Sequence, residues 1–207
     1  MSKPRGSSTG WRQRQERDPY VVRARSEGWR SRAVFKLEQI DAREKLLRRG
    51  MVVVDLGAAP GSWSEYVAAR LDDDVRIVAV DLLPMDSLPS VEFIQGDFRD
   101  AGILERLKAA VGGRRADLVL SDMSPNISGN RSVDQPRSMY LAELALDVCG
   151  EVLRQGGDLV CKLFQGEGSD ALIASARKRF GTVRIVKPDA SRPGSREVYL
   201  VARNYRL

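Results

Sequence analysis

Residues Met51–Trp63 read MVVVDLGAAPGSW. An apolar run ends at an acid, Asp55, a glycine turn follows, and the first turn of a helix comes next. This order predicts the strand, loop and helix of a nucleotide-binding α/β unit. Gly57 and Gly61 have no side chain, so the backbone there can turn tightly and come close to a ligand. The loop is not GxGxxG. Pro60 removes one amide donor from a turn that would otherwise cradle a pyrophosphate. The segment therefore favours a ligand with an adenosine but no phosphates, for which S-adenosylmethionine is the candidate. The plainer alternative is an ordinary strand-to-helix turn.

Outward from this unit, strand and helix patterns alternate. Strands are expected at 51–56, 76–81, 91–95, 116–121 and 157–163, and helices at about 62–71, 100–110, 136–154 and 169–179, with Pro136 in a first turn. Such alternation predicts a mostly parallel sheet covered on both faces. Strands at 182–187 and 197–203 have only the loop PDASRPGSR between them and should form an antiparallel hairpin at a sheet edge. This ending is usual in class I methyltransferases and generally absent from dehydrogenases. Upstream, a helix is expected from Ser31, a good N-cap, toward Leu47, with Lys36 at the edge of its apolar stripe. Residues 1–18 are poor in apolar side chains and read as a disordered basic tail. Residues 19–207 read as one domain, with a basic helical extension at 19–50.

Ligands of an open α/β sheet sit at the carboxyl ends of its strands. Asp55, Asp81, Asp97 and Asp122 fall at four successive strand ends. Asp81 lies where a carboxylate would accept hydrogen bonds from ribose hydroxyls, and Asp97 where one would meet an adenine amino group. Any one of them alone would pass for a turn or helix cap. Trp63 is either a flank of the cofactor or a packed aromatic. Lys162 lies within the apolar run GGDLVCKLF, and Glu197 opens the last strand. They are either a structural ion pair or, with Lys36 and Asp122, a polar cluster beside a reactive methyl group.

The 207-residue chain has no histidine and two cysteines, which removes His-based catalysis and His or multi-Cys metal sites. Cys149 and Cys161 are expected to be reduced and buried. No apolar run approaches the ~20 residues of a membrane span, and a cytoplasmic protein is the default expectation. Net charge is +6 and uneven: residues 1–50 hold 14 Lys and Arg against 6 Asp and Glu. Trp11, Tyr20 and Trp29 are interleaved with Arg12, Arg14, Arg23, Arg25, Arg30 and Arg32. Guanidinium planes and aromatic faces of this kind suit single-stranded or looped RNA. Arg23, Arg25, Arg30 and Arg32 are therefore the candidate RNA contacts.

The motifs SRAVFKL, VDLGAAPGSWSEY, DLLPMD, QGDFRD, SDMSPNISG, KLFQGEG and SRPGSREVYLVA together resemble the FtsJ/RrmJ-type ribosomal RNA 2′-O-ribose methyltransferases, also called the RlmE family. The resemblance runs from about Tyr20 to Ala202. It implies a Rossmann-like class I fold with a seven-stranded sheet, and a Lys-Asp-Lys-Glu active site at Lys36, Asp122, Lys162 and Glu197. It implies cofactor contacts at Gly61, Trp63, Asp81, Asp97 and Asp122. The substrate it implies is a uridine in the A-loop of large-subunit ribosomal RNA, within the assembled large ribosomal subunit. Methyl transfer itself needs no metal, so none is expected, and no feature of the chain demands more than a monomer. Ser62 departs from the resemblance, standing where a second glycine is expected. On this reading Lys162 is a general base or an orienter, Asp122 its partner, Lys36 an electrostatic tuner and Glu197 a positioner. A nicotinamide-dependent dehydrogenase and an RNA-binding assembly factor are the competing readings.

Overall fold

The computed structural model describes residues 18–206. The expected basic tail, with Trp11, Arg12 and Arg14, lies outside the described residues except for Asp18. The first helix, α1 (Pro19–Glu27), starts where the Asp18 carboxylate caps the Tyr20 amide and Pro19 fills the first turn; it ends at Gly28, φ 80°. Helix α2 (Val34–Glu44) is shorter at both ends than expected. Ser31 does accept a hydrogen bond from the Ala33 amide, but regular helix begins only at Val34. Lys45 turns left-handed, and the Asp41 carboxylate takes the Leu46 and Leu47 amides that another helical turn would have used.

The remainder alternates as expected: β1 (Met51–Leu56), α3 (Ser62–Arg70), β2 (Val75–Asp81), β3 (Val91–Gln95), α4 (Ala101–Val111), β4 (Ala116–Ser121), α5 (Arg131–Val152), β5 (Leu153–Phe164), α6 (Ser169–Arg179), β6 (Phe180–Val186) and β7 (Glu197–Tyr205). Helix α5 begins five residues before Pro136, which therefore lies inside the helix and not in its first turn. The cause is Asn130, whose side chain accepts the Ser132 amide and starts the helix early.

The seven strands are ordered β3-β2-β1-β4-β5-β7-β6. Strands β1 to β5 are parallel, and β7 runs antiparallel between β5 and β6. The order in which strands are laid down across the sheet reverses between β1 and β4, which opens a crevice at their carboxyl ends. Side chains alternate between two cores. Val52, Val54, Val119, Leu159, Cys161 and Leu200 pack under α4, α5 and α6. Val53, Leu118, Leu120, Val160, Tyr199 and Val201 pack under α1, α2 and α3. The period of two carries this second face onward to Asp122 beyond Leu120, to Lys162 beyond Val160 and to Glu197 before Tyr199. All three reach the face that α2 covers.

Candidate active site

Lys36 meets these residues from α2. Its Nζ stands 2.9 Å from Glu197 Oε1 and 3.8 Å from Asp122 Oδ1. Lys162 Nζ stands 2.9 Å from Asp122 Oδ1, 3.7 Å from Glu197 Oε2 and 2.8 Å from the Asp122 carbonyl oxygen. Two ammonium groups and two carboxylates thus interlock as a four-centre cluster, and an isolated Lys162–Glu197 pair does not describe them. The Lys162 side chain is 6% exposed and that of Asp122 18%, so Asp122 is the more open to an incoming group. Burying four charges is a poor way to gain stability, because desolvation consumes most of the Coulombic return.

Two further residues belong to the cluster. The Tyr199 hydroxyl donates to Asp122 Oδ1 at 2.5 Å and lies 3.4 Å from Glu197 Oε1. Ser191 Oγ donates to Glu197 Oε1 at 2.8 Å. Tyr199 could have been read from the pattern. It follows Glu197 by two and sits opposite Lys162 in the antiparallel register, where paired side chains share a face. Ser191 lies in a loop with no periodic signal.

The cluster's electrostatics are decided by neighbours over burial. Burial pulls the Lys162 ammonium down, but the Asp122 and Glu197 carboxylates outweigh it and hold it above its ordinary value. Burial likewise pushes Glu197 up, and Lys36 and Lys162 together bring it below its ordinary value. Tyr199 is driven well up by burial and then by the two carboxylates, so it remains a donor. Lys162 is accordingly a charged lysine, with one N–H on a carbonyl, one on Asp122 and Glu197 near its third.

The glycine loop lies at the crevice. Gly57 has φ 70°, and a Cβ there would stand 2.3 Å from Met123 Cγ; Gly61 has φ 102°, and its Cβ would stand 2.9 Å from Met85 Sδ. Only glycine serves at either position. Asp81 ends β2 and accepts the amides of Ala59 at 2.9 Å and Leu83 at 2.8 Å, tying the loop to the next strand. Beside it the Leu82 and Leu83 side chains are exposed. Asp97, half-buried beyond β3, is held below its ordinary value chiefly by its hydrogen bonds from Arg99. Half-buried carboxylates at the ends of β2 and β3, which accept hydrogen bonds, together with a glycine floor and an apolar flank, suit a nucleoside.

Two expected cofactor side chains sit elsewhere. Asp55 is 1% exposed, and its carboxylate accepts from Ser64 Oγ at 2.7 Å. It braces α3 from beneath the loop, because the face it shares with Val53 lies under that helix. Burial pushes it up to about 7. Trp63 is buried against Tyr199, with ring centroids 5.7 Å apart, and its Nε1–H donates to the Ala33 carbonyl at 2.9 Å. The packed-aromatic reading describes its side chain, and what Trp63 presents to the loop is backbone at the start of α3.

The four candidate RNA arginines are mostly engaged within the fold. Arg30 donates to the carbonyls of Pro60 and Asp86 at 2.9 Å and of Ser87 at 3.0 Å, while its amide donates to Glu65. It clasps the glycine loop to the segment after β2. Arg32 is held by Asp18 and the Ala190 carbonyl. Arg23 pairs with Glu27 and Glu38 above the Phe35 ring. Arg25 is exposed. No residue pattern signals this, since in a sequence a guanidinium bound to distant carbonyls looks no different from a free one. Both cysteines are free and buried, as expected. Among the described residues no Cys, Asp and Glu grouping could hold a metal, and no helix is long and apolar enough to cross a membrane.

The parallel sheet closed by a reversed β7, with an acid-lined crevice at its switch point, defines a class I S-adenosylmethionine-dependent methyltransferase. More narrowly, the chain belongs to the FtsJ-like methyltransferase family, whose model matches residues 29–205. It is similar to the crystal structure of a Plasmodium falciparum protein described as a ribosomal RNA methyltransferase. That match has 29% identity and a TM-score of 0.77, covering 86% of this chain and 98% of that one. The fold alone is shared with human methyltransferase-like protein 13, solved with SAH, at 14% identity and a TM-score of 0.56, covering 83% and 80%. It is also shared with a Clostridium thermocellum protein described as an rRNA methylase, at 15% identity and a TM-score of 0.56, covering 81% and 96%. The cofactor is S-adenosylmethionine, as the loop with one amide donor removed by Pro60 favoured.

Proposed function

We propose that this chain methylates the 2′-hydroxyl of a ribose in large-subunit ribosomal RNA, at a uridine of the A-loop within the assembled subunit. The observation that carries the reading is the four-charge cluster, with Asp122 its most open carboxylate. The 29%-identical Plasmodium falciparum neighbour supports the RNA substrate.

Bound S-adenosylmethionine supplies an electrophilic methyl group, so the protein's own task is to hold a weakly acidic hydroxyl and take its proton. Gly57, Gly61, Asp81 and Asp97 would hold the cofactor. A charged Lys162 has three donors and no acceptor. It therefore orients the hydroxyl and steadies negative charge as it develops. Asp122, fixed by Lys162 and Tyr199, accepts the proton. Lys36 and Ser191 hold Glu197, and Glu197 keeps Lys36 and Lys162 beside Asp122.

The test is transfer from isotopically labelled cofactor to ribosomal particles and to naked RNA, followed by digestion to nucleosides. Label is expected in 2′-O-methyluridine at one position, with particles the better substrate. Label on a base, or particle binding without transfer, would overturn the reading.

A further inference from the structure

Beyond the cluster, the end of β5 and the residues leading into β7 form a groove with the first turns of α5. Its volume is about 290 Å³, and it is lined among others by Ile127, Arg131, Gln135, Phe164, Ser195 and Arg196. The groove adjoins the cluster through the strands that carry both. Phe164 lies opposite Glu197 in the β5–β7 register, and Ser195 Oγ accepts the Glu197 amide at 3.1 Å.

Its walls are braced. Gln135 Nε2 donates to the carbonyls of Phe164 at 3.1 Å and Glu167 at 3.0 Å. Arg196 Nη1 donates to Gln135 Oε1 at 3.1 Å and to the Gln165 carbonyl at 2.9 Å. The groove's one carboxylate, Asp134, is turned onto the Ser128 and Gly129 amides and the Ser128 hydroxyl. Two features are left facing outward: the exposed Arg131 on the first turn of α5, and Ile127, 61% exposed. A cation and an apolar side chain lining one groove, with an aromatic residue paired across the strands with Glu197 of the cluster, suit one unstacked nucleotide. The base lies against apolar and aromatic side chains, and a phosphate meets the guanidinium.

We propose that this groove receives the target nucleotide, with its base against Phe164 and Ile127 and an adjoining phosphate on Arg131. The assignment rests on the RNA-methylating reading. Neither Arg131 nor Ile127 touches the four-charge cluster, and both are exposed, so their replacement leaves the fold intact.

Steady-state methylation of ribosomal particles should show KM raised roughly tenfold in Arg131→Ala and several-fold in Ile127→Ala. At saturating substrate kcat should stay within twofold, and the affinity for S-adenosylhomocysteine by calorimetry should be unchanged. Arg131→Lys should recover most of the lost KM, since a point charge still meets a phosphate. KM values unmoved in an enzyme that still methylates RNA would remove the groove assignment and leave the functional reading standing. A wild-type protein that binds S-adenosylhomocysteine but methylates no RNA would overturn both.

Discussion

At Lys162 two mechanisms make opposite demands. A neutral lysine acting as base would require burial to prevail, and kcat would then climb about tenfold per pH unit below its pKa. The carboxylates prevail instead, and the ammonium stays charged. Between pH 6 and 9 single-turnover rates should therefore be nearly flat; a slope of one in the logarithm would restore lysine as the base. Lys162→Ala should lose at least about a hundredfold in kcat, with S-adenosylhomocysteine affinity preserved. At Asp55 the effect is on stability. Its folded pKa of about 7 lies above the ordinary carboxylate range. The native state keeps this proton where the unfolded chain releases it, so stability falls as pH rises from about 4 to 7. Asp55→Asn can still accept the Ser64 hydrogen bond. It should stabilise by on the order of a few kcal/mol at pH 8, an advantage that shrinks toward pH 4 in thermal melts. Lys162 and Glu197 stood out as charges among strand formers, Lys36 at the edge of an apolar stripe and Asp122 at a strand end, while their reading as one active site came from the family resemblance. Residue identity did not separate Asp81 at the crevice from Asp55 beneath it, since both end a strand and only the packing of α3 distinguishes them.

Among the elements, strand limits agreed with expectation to within a residue or two, except that β5 starts four residues early, at Leu153. Apolar runs bounded by turns leave little freedom. Helix limits departed where capping intervened, as at Asn130 and Asp41, because a side chain that takes an amide can start or stop a helix against its periodicity. Helix α1 was legible only as part of a basic helical extension. Its hidden function is mechanical. The connection between α1 and α2 presents Arg30 to three carbonyls on two cofactor-side segments, so the basic extension is tied directly to the glycine loop. Arg30→Ala leaves those carbonyls to water and frees the loop. It should weaken S-adenosylhomocysteine binding several-fold and lower stability by about 1–3 kcal/mol, whereas Arg25→Ala should change neither. Calorimetry of the two variants side by side decides this, and equal affinities would reduce the clasp to a surface contact.

Over the whole molecule, the excess positive charge of the first fifty residues is spent unevenly. Arg32, Arg48 and Arg49 pair with Asp18, Asp117 and Asp72, and Arg23 with two glutamates. Of these acids Asp72 and Asp117 come from outside the first fifty residues, and with Asp122 and Glu197 around Lys36 they offset part of the extension's excess, so the field that reaches a polyanion is smaller than the composition of that segment implies. The cations of residues 1–17, which are Lys3, Arg5, Arg12, Arg14 and Arg17, face only Glu16 in sequence. If RNA is the substrate, counterion release apportions the contribution of each group, since every phosphate neutralised adds about 0.7–0.9 to the salt slope of binding. Replacing those five cations with glutamine should lower the slope of log K against log salt by up to about 3.5–4.5. Arg32→Gln, whose charge is already shared with Asp18, should lower it by less than about 0.5. Filter binding of ribosomal RNA across a potassium chloride series measures both. A larger loss from Arg32 than from the five together would put the RNA-binding surface on the folded extension.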